Sequence, residues 1–334
     1  MELPPPSPAL IMSGLMAHQV TYALIASIEL GIYTAIESGA TTVAELAAAC
    51  GASEKGTRVL CDYLCVHGYL SKAEGRYANT ADTAVFLVKS SPAYMGSIVE
   101  FLASPELMAS HADITTKVRD GGCRNRPLTD HAEEQVWERF ASSMRPVVGH
   151  SAQAVAELLG EGEQPWKVLD VSSSHGLFGI SVAARHKNAQ IYANDWPEVV
   201  VYSKASADRA GMGDRYHTIP GSAFEVDFGT EFDVVLVPNF LHHFSAEANT
   251  DFLAKCRSAL KPGGRVVVVE FVVEEDRLSP GWANTFAMQM LGATPEGDCY
   301  TQSELTAMLT GAGFQDIEVH AEHQSPSRIF VGIS

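Results

Sequence analysis

From Pro8 to Glu37 apolar residues recur at helical spacing, at Leu10, Leu15, Val20, Leu24, Ile28 and Ile32, and this predicts one helix. Ala17 and Ala23 add small residues that would let it pack closely on another helix. A Pro-rich arm, residues 1–8, precedes it. Thr41 or Thr42 then caps VAELAAAC, with Glu45 placed as in a capping box and Gly51 as the stop. Ser53 opens a further helix, EKGTRVLCDYLCVHG, and the following GYLSKAEGRYANT reads as two short strands around a Glu74-Gly75 turn. Residues 106–160 keep the helical rhythm except for a polar connection, DGGCRNRPLTD, near 120–130.

Past the GEGEQP segment the pattern changes. WKVLDV, AQIYAND, RYHTIPG, FDVVLVP and RVVVVEFVV are short β-branched runs separated by helix-like segments. Near-continuous apolar strands alternating with helices predict a parallel sheet covered on both faces. DIEVHAE and RIFVGI are parted only by a tight polar turn, too short for a crossover helix, so one of them must run antiparallel to its neighbour. The fold expected is α/β in the C-terminal half behind a helical N-terminal part. The expected divisions are 1–105, 106–160 and 161–334.

Composition narrows the class. The 334 residues are 46% hydrophobic and 19% charged, as in a globular protein with a real core, and the net charge is −17. That average field repels phosphate backbones and anionic membranes, so neither nucleic acid nor membrane is expected as a partner. Helix, helix and wing is an order used by DNA readers. Here, however, Lys55, Arg58, Lys72 and Arg76 are offset by Glu45, Glu54, Asp62, Glu74 and Asp82, which favours chain pairing over DNA reading. The apolar stretches read as too short to span a bilayer. The six cysteines form no CxxC or zinc-type cluster, and Cys61 and Cys65 read as small buried hydrophobes. The N-terminal MELPPPSPAL lacks a cationic region, so no secretory signal is expected and a cytoplasmic location is.

Candidate chemistry gathers where the strands end, which is where such sheets bind ligands. Asp170 closes the first strand, and Ser172, Ser174 and Gly176 follow at alternate positions in a turn of small residues whose hydroxyls could donate to a carboxylate. Asp195 closes the second strand, where an acid accepts hydrogen bonds from ribose hydroxyls, and Trp196 beside it could cover an adenine face. The third strand leads into Gly221, Ser222, Ala223 and Phe224, and the fourth into PNFLHHF, which holds Asn239, His242 and His243.

With these residues in view, the chain resembles the two-domain small-molecule O-methyltransferases of plant phenolic and bacterial antibiotic pathways. DVSSSHG stands where that family has DVGGGxG, NDWPEV where it has FDLPxV, GSAF where it has GDMF, and LHHF where it has LHDW. ALKPGGRVVVVE is similar to the family's next helix–strand unit, and the likeness covers nearly the whole chain. The resemblance implies a Rossmann-like class I methyltransferase domain with a seven-stranded sheet whose last strand is antiparallel. It also implies an N-terminal winged-helix dimerisation domain, hence a homodimer. S-adenosyl-L-methionine is the implied cofactor, S-adenosyl-L-homocysteine the product, and a small aromatic or polyketide-like molecule the acceptor. On this likeness His242 is the general base and Glu270 the acid that orients it. Trp137, Phe140, Met144, Met290 and Thr294 line the acceptor pocket. Three serines replace three glycines, Ser222 replaces the acid aimed at the adenine amino group, and Cys299 replaces a second orienting acid. No carboxylate cluster points to a metal. Transfer to carbon or nitrogen, a relative that uses the cofactor otherwise, a base role for His243 and a ligand-binding winged-helix regulator stay open.

Overall fold

The structure, a computed structural model, describes residues 6–125, 127–128, 134–321 and 327–334. The start of the Pro-rich arm, parts of the 120–130 connection and the polar turn between the last two strands lie outside the described residues. The chain divides into two units, Met1–Val99 and Glu100–Ser334.

The first unit contains α1 (Ala9–Glu29), α2 (Ile32–Glu37), α3 (Val43–Cys50), α4 (Glu54–Val66), a hairpin of β1 (Leu70–Ala73) and β2 (Arg76–Asn79), and α5 (Ala81–Phe86). The single helix expected from Pro8 to Glu37 is two. Gly31 takes a left-handed φ of 73°, and the chain turns there. The apolar period runs on across the break because Ile28 on α1 and Ile32, Tyr33 and Ile36 on α2 enter one core with Leu46, Cys61 and Leu64. Thr42 and Glu45 form the expected capping box. Glu74 and Gly75 both adopt positive φ, as a tight hairpin turn demands.

One expectation is corrected here. α1 has a mean hydropathy of 1.4 and is long and apolar enough, by length and composition, to cross a membrane. Reading uninterrupted apolar runs missed it because Ser, His, Gln and Thr break the runs without lowering the average enough. Leu10, Ile11, Met12, Leu15 and Met16 are all exposed.

α6 (Val99–Leu102) spans the boundary, and in the second unit α7 (Pro105–Ala109), α8 (Ile114–Asp120), α9 (Glu134–Ser143) and α10 (Arg145–Leu158) precede an alternating α/β segment. That segment comprises β3 (Lys167–Val171), α11 (Leu177–Arg185), β4 (Gln190–Asp195), α12 (Pro197–Arg209), β5 (Tyr216–Pro220) and β6 (Phe232–Pro238). It continues through α13 (Ala246–Ala259), β7 (Leu260–Phe271), α14 (Gly281–Ala293), α15 (Gln302–Gly311), β8 (Gln315–Ala321) and β9 (Ser327–Ile333). The seven-stranded sheet has the order β5-β4-β3-β6-β7-β9-β8. Its first five strands are parallel, and β9 is antiparallel to both neighbours, as expected of the last strand.

Alternate residues of one strand enter different cores. Val168, Leu236, Val267 and Val269 pack with α10 and α11 residues such as Val155 and Val182. Leu169, Val235, Val266 and Val268 pack instead with Phe252, Leu253 and Leu305 of α13 and α15. This two-sided burial is why the strands read as continuous apolar runs. β7 begins earlier than its β-branched run: Leu260 pairs with Phe232 and Arg265 with Val234, so Lys261–Gly264 loop out between them. The chain fills the sheet outward from β3 on one side and then from β6 on the other. The carboxyl ends of β3 and β6 are therefore the topological switch point.

Candidate active site

A cavity of about 450 Å³ is lined by the residues just beyond the carboxyl ends of β3, β4, β5, β6 and β7. At one end sits the turn after β3. Ser172 and Ser174 hold left-handed φ angles of 51° and 50°. Each such residue with a Cβ is disfavoured by about 1–2 kcal/mol, so the surroundings must impose it. Ser173 N donates to Asn194 O at 2.9 Å and Gly176 N to Ser173 O at 2.7 Å. Ser174 N donates to Asp195 Oδ2 at 2.7 Å, while Trp196 N donates to Oδ1 at 2.8 Å. The serines thus take the backbone shape that glycines adopt freely. Ser174 Oγ is buried without a hydrogen-bond partner, as is Asn239 Oδ1. Asn239 also has a left-handed φ, 51°, and its N donates to Val269 O at 2.7 Å.

The walls around this end are tied from behind. Asn194 Nδ2 donates to Ile219 O at 2.8 Å and Gly221 O at 2.9 Å, fixing the turn after β5. Lys255 Nζ donates to the carbonyls of Ala223, Phe224 and Val226 in that same turn. Burial pushes the Asp195 carboxyl up to about 6, against the opposing pull of the two amides. Ser172, Ser174, Asp195, Trp196, Ser222, Ala223, Phe224 and Asn239 all line the cavity.

Asp170 and Gly176 lie outside this lining. Asp170 Oδ2 accepts from Gly179 N at 2.9 Å inside α11, and burial raises its carboxyl to about 7. A Cβ on Gly176 would come within 2.8 Å of the Tyr216 hydroxyl, so the glycine there permits a close approach of backbone to β5. Both residues shape the turn from outside.

At the other end His242 is buried against the cavity, on the short turn Leu241–His243. Glu270, at the end of β7, is wholly buried and accepts from His242 Nδ1 with Oε2 at 2.7 Å. Glu270 Oε1 also accepts from Leu241 N at 2.8 Å and His242 N at 3.3 Å, and Oε2 from Phe271 N at 3.2 Å. A carboxylate so engaged has only acceptors to offer. The imidazole proton therefore sits on Nδ1 and Nε2 is left basic. Cys299 stands behind this pair: its Sγ donates to Phe271 O at 3.5 Å, and burial pushes the thiol up to about 12. His243 also lines the cavity, edge-on to Trp137 with ring centres 5.2 Å apart.

Trp137, Phe140, Met144, Met290 and Thr294 all line this end. Sequence reasoning missed Phe271, Phe286 and Gln289. Two of these carried a usable signal, since Phe286 and Gln289 sit on the face of α14 that carries Met290, at helical spacing. The Phe286 ring meets His242 edge-on at 4.8 Å and Phe271 at 4.6 Å. Among the described residues no group of three His, Cys, Asp or Glu side chains is placed to hold a metal.

Two family models match the chain. The model of the O-methyltransferase domain matches residues 128–315, and that of the O-methyltransferase dimerisation domain matches residues 12–90. A 3-hydroxy-5-methyl-1-naphthoate 3-O-methyltransferase of Streptomyces sahachiroi is 28% identical over 304 residues, covering 89% of this chain and 86% of that protein. A solved structure of a candidate O-methyltransferase from Nostoc punctiforme superposes with a TM-score of 0.95 at 40% identity, covering 99% of this chain and all of that one. Human N-acetylserotonin methyltransferase in complex with S-adenosylmethionine shares the fold, with a TM-score of 0.82 at 22% identity, covering 100% of this chain and 99% of that one.

Proposed function

The chain belongs to the O-methyltransferase family, and we propose that this S-adenosylmethionine-dependent enzyme methylates a hydroxyl of a small aromatic or polyketide-like acceptor, with His242 as general base and Glu270 as its orienting partner. Its dimerisation domain implies a homodimer. The observation that carries the mechanistic reading is the 2.7 Å contact from His242 to Glu270 at the wall of the cavity.

The residues at the opposite end fit the cofactor. When bound, S-adenosylmethionine supplies a methyl group activated by a sulfonium. Asp195 would accept from the ribose hydroxyls, and Trp196 and Phe224 would flank the adenine. The unpartnered Ser174 Oγ and Asn239 Oδ1 would meet polar atoms of the amino-acid portion. Ser222 offers a hydroxyl where a carboxylate is usual, so adenine contact would rest on neutral hydrogen bonds and stacking.

Direct displacement asks the protein mainly to align the acceptor. Trp137, Phe140, Met144, Phe286 and Met290 give that end flat apolar walls suited to an aromatic nucleus. A hydroxyl acceptor must also lose its proton, and Nε2 of His242 is the basic atom held ready for it. Glu270 keeps the ring in that tautomer and stabilises the imidazolium that forms. A carbon nucleophile would not need this pair, which favours transfer to oxygen. Because all six cysteines are free thiols, we further propose a cytoplasmic location.

The test is formation of a methyl ether from S-adenosylmethionine and a naphthol acceptor, followed by mass spectrometry. His242→Ala should lower turnover by about 10²–10⁴-fold while S-adenosylhomocysteine binding stays nearly intact, and Glu270→Gln should lower it less. An alanine variant with nearly full turnover and an unchanged pH profile would remove His242 from the chemistry.

A further inference from the structure

Gly221, Ser222, Ala223 and Phe224 line the cofactor end of the cavity, and their backbone forms a turn outside any strand or helix. The partners of its carbonyls show what keeps that turn in shape. Gly221 O accepts from Asn194 Nδ2, and Ser222 O accepts from Glu225 N at 3.0 Å and Val226 N at 2.9 Å. The carbonyls of Ala223, Phe224 and Val226 share one donor instead. All three accept from Lys255 Nζ, at 2.8, 2.9 and 2.7 Å. An ammonium has three N–H donors, so this one is fully spent on a single turn. Lys255 stands outside the cavity lining, on α13, which the core anchors through Phe252, Leu253 and Cys256. Its Nζ also lies 4.5 Å from the centre of the Phe228 ring just past the turn, a cation–π contact that helps to fix where the charge sits.

We propose that Lys255 is a positioning residue for the cofactor: it holds the turn Gly221–Val226 in the shape that receives the adenine, without touching the cofactor itself. This assignment rests on the reading above that places the adenine between Trp196 and Phe224. The Phe224 ring has a second hold, since it packs on Phe244 and Phe252 with centres 4.8 and 5.1 Å apart. Ring packing fixes the side chain but not the peptide planes behind it. Three directional bonds to one nitrogen fix three carbonyls relative to one another. Phe224 is 39% exposed, so water reaches this edge and would replace the ammonium at each carbonyl singly, without a shared centre. The cofactor would then have to order the turn as it binds, and that ordering costs affinity.

The experiment is calorimetry of S-adenosylhomocysteine with the full-length protein and the variants Lys255→Met, Lys255→Arg, Phe224→Ala and Lys255→Met with Phe224→Ala. Methionine keeps an apolar stem beside Phe228 and removes the donors, and it should weaken binding by about tenfold. Arginine keeps the charge and several donors, and it should recover part of that loss. Phe224→Ala should weaken binding as well. The double variant should lose less than the product of the two single losses, because the lysine acts through the turn that carries Phe224. A residue that merely stabilised α13 would give fully multiplying losses. Lys255→Gln replaces the methionine variant if that protein does not melt cooperatively. Unchanged affinity in Lys255→Met beside a weakened Phe224→Ala overturns the inference alone, as do fully multiplying losses or an arginine variant no better than methionine. Unchanged affinity in Phe224→Ala removes the adenine from this turn, and the inference falls with that placement.

Discussion

Replacing Asp195 by asparagine separates the charge of that side chain from its shape. In the structure both carboxylate oxygens are held by backbone amides, from Ser174 and Trp196, and the residue is 8% exposed. Asparagine keeps one oxygen for an amide but loses the charge and one acceptor. Two ribose hydroxyls donating to a buried carboxylate make charge-assisted bonds of about 1.5–3 kcal/mol each at most. Losing the charge from both should therefore weaken S-adenosylhomocysteine by roughly 100-fold. The pH dependence sharpens the test. Burial raises the free carboxyl to about 6, and a ligand that donates hydrogen bonds to it prefers the ionised form. Ligation therefore lowers this pKa, so affinity is complete above about pH 6 and falls as pH drops below it, by up to about tenfold per unit. Calorimetry across that range should show the slope in wild type and its absence in Asp195→Asn. Equal affinity of the two proteins, or the same slope in both, would refute the role of Asp195 and with it the placement of the ribose.

Two further outcomes follow from single features. Ser174→Gly removes both a left-handed residue with a Cβ and a buried hydroxyl without a partner, so the ligand-free protein should gain about 1 kcal/mol. The same change should weaken S-adenosylhomocysteine by up to about tenfold; thermal melts with and without ligand check both signs, and a less stable ligand-free variant would refute the strain argument. Ile11→Glu combined with Leu15→Glu on the exposed face of α1 should shift the protein from dimer to monomer in sedimentation at micromolar concentration, whereas a monomeric wild type or an unaffected double variant would show that α1 does not pair the chains.

The sheet was largely legible because each strand obeys one constraint along its length. Val234, Leu236, Val267 and Val269 face one core while Val235, Val266 and Val268 face the other, so burial on both sides leaves no polar position to interrupt the run. What escaped were features set by single backbone angles or by three-dimensional neighbours. The break at Gly31 left the apolar period intact because α1 and α2 serve one core. Phe271 was hidden in a β-branched run, and its place in the cavity follows from where β7 ends rather than from any local pattern. Asp170 does close its strand as the pattern suggested, but that the amide of Gly179 holds its Oδ2 while Oδ1 stays buried without a partner follows from the packing of α11, which no local motif shows.

The serine turn shows why the motif letters and the site they encode differ. Glycine is usual after the first strand because the turn needs positive φ, and the sequence here withholds it at Ser172 and Ser174. The backbone nevertheless adopts those angles, because Asn194 O and the Asp195 carboxylate grip the turn from the neighbouring strand. The conformation is thus imposed by β4, whereas a glycine turn would reach it by its own freedom. That arrangement couples Asp195 to the turn as well as to its proposed ribose contact, so a change at Asp195 should disturb the turn together with that contact.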